Sequence, residues 1–137
     1  MNRSDLKNGC VELLNALQGV LSLEWDDRFE TTVAEFSVDN KDRIREILER
    51  YLGFVWDSSS IKKAPDIVRA INDDLDGLRP RQLFFASDPD QEVFIFCAWW
   101  PWGNGESISV RFAPAYKNPS GSQKAELTKL FKDLLRV

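Results

Sequence analysis

Chemistry in this chain has to come from carboxylates, lysines, tyrosines or cysteines, because it has no histidine. That removes Ser-His and Cys-His nucleophile pairs, imidazole metal sites and the switch that titrates near neutral pH. Four carboxylates, Glu24, Asp26, Asp27 and Glu30, crowd around Trp25. Paired acids can run acid/base catalysis when burial separates their pKa values. In so polar a stretch they read instead as a solvated surface suited to a basic partner. Ser58-Ser59-Ser60 beside Lys62 and Lys63 has the residue types of a Ser-Lys nucleophile. Such a lysine must be desolvated, and two adjacent lysines in a serine-rich loop favour water. There is no phosphate-binding glycine loop, no GxSxG and no CxxC.

Asn72-Asp73-Asp74-Leu75-Asp76-Gly77 opens like a calcium loop, with oxygen ligands at its first, third and fifth positions and glycine at the sixth. The twelfth position should be a bidentate Glu and is Leu83, and Arg79 and Arg81 bring cations close. The segment therefore reads as an acidic helix end closed by glycine. Its acids oppose the helix dipole, which leaves Asp73, Asp74 and Asp76 suited to meeting a basic surface. We expect no catalytic set, no metal and no cofactor.

Three Trp within four residues, Trp99, Trp100 and Trp102, form the most unusual cluster. On a strand Trp99 and Trp100 must point to opposite faces, and Trp102 follows Pro101 into a loop with Gly103, Asn104, Gly105 and Glu106. Trp gives large contact area at low entropy cost and dominates interface hot spots. The expected partner-binding set is Trp99, Trp100, Trp102, Asn104 and Glu106, joined by Trp25, Asp26, Asp27, Asp73, Asp74 and Asp76.

Elements must position these groups. Ser4 caps a first helix with Leu6, Cys10, Leu13, Leu14, Leu17 and Leu21 on one face. Glu24 to Arg28 reads as turn-like. Phe29 to Val38 reads as a strand, with Thr32, Ala34, Phe36 and Val38 on one side. Asp39 or Asn40 caps a helix from Lys41 to Leu52, and Gly53 ends it. Phe54-Val55-Trp56 is either a short strand or an apolar loop. Pro65 suits the first position of a third helix, which Gly77 ends. Gln82 to Ala86, Glu92 to Trp100 and Glu106 to Ala115 make a three-strand meander. Its middle strand is apolar enough to be covered on both faces. A last helix, Gln123 to Leu135, buries Leu127, Leu130, Phe131, Leu134 and Leu135.

The expectation is one α+β domain over residues 1–137: a mainly antiparallel sheet with helices packed on it and a helix at each end. Hydrophobic residues make up 43% and charged residues 29% of the 137 positions, enough to bury a core and too apolar for a disordered chain. The opening segment carries both charge signs and no apolar run long enough for a leader, and no segment reaches the ~20 apolar residues of a membrane helix. That reads as cytoplasmic, with Cys10 and Cys97 reduced and buried.

With 22 acidic against 18 basic side chains, the net charge of −4 disfavours nucleic acid and anionic membranes. Together these features point to a non-enzymatic binding module that masks or escorts a basic protein, of inhibitor, immunity or chaperone type. A binder of a small ligand or carbohydrate on the Trp hairpin, and a homodimer or larger homo-oligomer joined through the same patch, are the alternatives.

Overall fold

The computed structural model describes residues 3–28, 30–75, 77, 80–118 and 120–135. Asp76 and Phe29 fall outside them. In chain order the elements are α1 (Arg3–Gln18), β1 (Glu24–Asp26), β2 (Thr31–Ser37), α2 (Lys41–Tyr51), β3 (Phe54–Asp57), α3 (Asp66–Asp74), β4 (Leu83–Ala86), β5 (Val93–Pro101), β6 (Ser107–Tyr116) and α4 (Gly121–Leu135). The strands form one six-stranded antiparallel sheet in the order β1-β2-β6-β5-β4-β3. The α+β class, the meander and the terminal helices are as the sequence indicates. The Glu24–Asp26 segment is a strand rather than a turn: its three residues pair with Thr31 to Val33. Phe54 to Asp57 resolves as a strand. Pro65 sits one place earlier than expected, at the N-cap.

Alternation along β5 sorts its side chains onto two faces. Ile95, Cys97 and Trp99 enter a core with Ala34, Phe36, Val110 and Phe112, closed by Leu13 and Leu17 of α1, Ile44 and Leu48 of α2, and Leu127 and Phe131 of α4. Phe94, Phe96 and Ala98 enter a second core with Phe84, Ala86 and Ala113, closed by Val68 of α3. Both cores are needed because β5 is apolar on both sides.

The two faces are covered unequally. Six strands spaced ~4.8 Å apart make a sheet roughly 24 Å wide, and three helices ~8–10 Å apart match it. α1, α2 and α4 supply those three on the first face. The second face has α3, nine residues long, hence roughly 13 Å by 10 Å. Its core takes residues from β3, β4 and β5 and, from β6, Ala113 and Ala115; neither β1 nor β2 contributes to it. Along β2 the side chains on this face go from buried Thr31 through half-buried Val33 to exposed Glu35 and Ser37.

The pairing of β2 with β6 stops for a local reason. Val38 N–H donates to Glu106 C=O across the pair. Even-numbered residues of β6 therefore turn their backbone groups toward β2. Pro114 is the even position just past the last paired residue, Phe112, and has no N–H to offer. Its register partner would be Glu30, which instead holds φ at 53° and leads the chain away from the ladder. β6 thus keeps an open edge beyond Phe112.

The outer edge at β3 ends in a tight loop. Asp57 accepts the N–H groups of Ser59 and Ser60, and its own N–H donates to Ser60 Oγ. Those bonds, Ser60's first, hold the Asp57 carboxyl below its usual range.

Cys10 and Cys97 are free and buried on the first face. Burial pushes the Cys10 thiol up to about 12 and raises Cys97 as well. Neither should react with a thiol-specific reagent in the native state, and both should react once the chain is unfolded. A fast-reacting thiol in native protein would contradict this packing.

Candidate functional site

The β5–β6 hairpin carries Trp102 past the end of β5 and folds it back over the sheet. Trp102 N–H donates to Ser107 C=O at 2.9 Å, and Gly105 N–H donates to Trp102 C=O at 3.1 Å. The reversal needs φ of +70° at Gly105, a region a side chain resists. Asn104 Oδ1 accepts Glu106 N–H, so Asn104 shapes the turn. The Trp102 indole N–H donates to Ser109 Oγ at 2.8 Å. Ser109 lies on the second face of β6, opposite Glu35 of β2. Trp102 is therefore pinned by backbone and side chain, yet 54% of it is exposed. A large ring fixed in place and left in water loses little entropy on binding.

The expected partner-binding residues separate into three groups. Trp99 is a core residue, 5% exposed, with its ring edge-on to Phe36 at 5.4 Å and tilted against Phe85 at 6.0 Å. Strand alternation sends it to the first face, and it leaves the candidate site. Trp100, Trp102, Asn104 and Glu106 gather at the hairpin end, joined by Glu35, Ser109 and Arg111, which the sequence did not single out.

Trp25, Asp27, Asp73 and Asp74 lie elsewhere. Trp25 donates its indole N–H to Asp27 at 2.8 Å, has Lys132 Nζ 5.2 Å from its ring centroid, and packs on Phe131 of α4. Trp25 and Asp74 line a cavity between α3 and α4. That cavity meets β6 at Ala113 to Tyr116, and Trp102 follows the opposite end of β5, which pairs with Ile108. Asp73 is exposed on the last turn of α3.

Asp26 belongs to the sheet rather than to a free acidic surface. Its carboxylate accepts from Arg111 Nη1, an ion pair with side chains 22% and 17% exposed. The Arg111 guanidinium lies 5.3 Å from the Trp100 ring centroid, a cation–π distance. Asp26, Arg111 and Trp100 thus form a chain across β1, β6 and β5. Arg111 supplies positive charge on the uncovered half of the second face, and Asp26 offsets it. The remaining acids on that half, Glu24 and Glu35, are exposed. Glu106, at the hairpin beside them, is exposed too.

Among the described residues no cluster of three or more His, Cys, Asp or Glu could hold a metal ion, and no helix is long and apolar enough to cross a membrane. Comparison with protein-family models, with curated proteins and with solved structures finds no match to this chain.

Removing the Asp26 carboxylate takes this ion pair from Arg111, whose side chain is 17% exposed. Asp26→Ala should lower stability by about 1–3 kcal/mol, read by urea denaturation. Arg111→Met added to that variant should recover part of the loss. Additive losses in the double variant would show that the two side chains act independently.

Proposed function

We propose that the protein is a non-enzymatic binding module that masks or escorts a basic protein partner, docking it on the uncovered half of the second sheet face around Trp102. The observation that carries this reading is a half-exposed Trp whose backbone and indole are already fixed by hydrogen bonds. Core packing has no use for a ring in that position. An interface does, because the ordering cost has been met within the monomer.

Charge supports a basic partner. Glu24, Glu35 and Glu106 are exposed around the face, and the Arg111 charge is turned inward onto Asp26 and Trp100. The chain as a whole carries −4. Such a field steers a cationic protein toward the face and raises the association rate more than the final affinity. Inhibition of a basic toxin, as an immunity-type protein, and chaperoning of a basic subunit both fit this surface. Two free, buried cysteines suit a reducing, cytoplasmic setting.

Affinity capture from native cells, with Trp102→Ala as control, tests the reading. One basic protein should bind the wild type, and Trp102→Ala should weaken it more than about tenfold while the melting temperature hardly moves. Trp99→Ala should instead cost about 3–5 kcal/mol of stability. A captured protein that binds Trp102→Ala as well as wild type, or a large stability loss in Trp102→Ala, would overturn the proposal.

A further inference from the structure

We infer that the cavity between α3 and α4 binds a small apolar primary amine. This site is distinct from the Trp102 face and does not depend on it. Its volume is about 220 Å³, and an apolar cavity of about 150 Å³ already holds a benzene ring. The space therefore fits one ring with a short arm. Phe96 and Ala113 line it from the sheet, Ile71 from α3 and Phe131 from α4.

The cavity exists because the sheet stops short there. Pro114 and Glu30 end the β2–β6 ladder at Phe112, so no strand of the described residues fills the space beside β6. Small residues keep it open: Ala70, Ala113 and Ala115 all line it.

The polar groups around the cavity select the ligand's head. Glu30 and Asp74 both line it, from the β1–β2 connection and from the end of α3. Pro114 turns its carbonyl toward the unpaired side of β6, by the same alternation that aims Phe112 at β2, and has no N–H to offer an anion. Lys124 is the opposing cation. Two carboxylates against one ammonium leave the lining net negative, and the Tyr116 and Thr128 hydroxyls, which also line it, can accept as well as donate. An ammonium group brings three donors and one positive charge, which matches that set. A carboxylate would meet Lys124 but also two like charges.

The probe is 2-phenylethylamine, with 2-phenylethanol and 3-phenylpropionate as neutral and anionic counterparts of similar shape, each titrated by calorimetry into the full chain. The amine should bind more tightly than the alcohol by about tenfold, the difference a charge-assisted hydrogen bond makes, and the acid should not bind. Glu30→Gln and Asp74→Asn should each weaken the amine several-fold and leave the alcohol unchanged. Ala70→Phe should block all binding; Ala70 is exposed, so this variant should keep the wild-type circular dichroism spectrum and melting temperature. Equal affinity for amine and alcohol, preference for the acid, binding that survives Ala70→Phe, or no binding of any probe would each overturn the inference.

Discussion

β5 has to be dry on both faces, and everything else in this architecture follows from how that is achieved. Its side chains feed two cores in strict alternation. The first face has three helices, and only its β3 edge, at Val55, is left exposed among the described residues. Among the described residues the second has only α3, whose nine residues pack on β3 to β5 and on Ala113 and Ala115 of β6. The second core is correspondingly smaller, and the β1–β2–β6 half of its face must be made of side chains that tolerate water. Ser109, Glu35 and the Asp26–Arg111 pair occupy that half, and Trp102 leans over it from the hairpin.

The same half-sheet shows how an interior ion pair can serve a surface. A lone guanidinium there would weaken the negative charge that Glu24, Glu35 and Glu106 supply. Held by Asp26 and stacked on Trp100, Arg111 becomes part of the scaffold, and the exposed charge around Trp102 is left to Glu24, Glu35 and Glu106. The desolvation cost of such a pair tends to cancel its attraction. Its role here is better described as fixing geometry than as adding stability.

Much of this was legible in the residues. Helix faces such as Ile44 and Leu48, the two-sided apolar run of β5 and the opposed directions of Trp99 and Trp100 follow from periodicity alone. β1 was not legible, because three residues cannot establish an alternation and the Asp26-Asp27 pair looks like a turn. The acidic set split for a related reason. Asp26 finds its partner 85 positions away, which only the β1-β2-β6 strand order makes possible, and local sequence carries no trace of that order. The cavity was hidden more deeply still. It is produced by a ladder that ends early at Pro114 and by three alanines, and an empty space leaves no motif.

Half of the second sheet face carries no helix among the described residues and offers a fixed Trp102 to a partner. Hydroxyl-radical footprinting of the isolated protein, read tryptophan by tryptophan, tests it most directly. Trp102 should be oxidised fastest and Trp99 slowest, with Trp100, shielded by Arg111, between them. Trp102 protected as well as Trp99 would show that this face is already covered, and the account would fail.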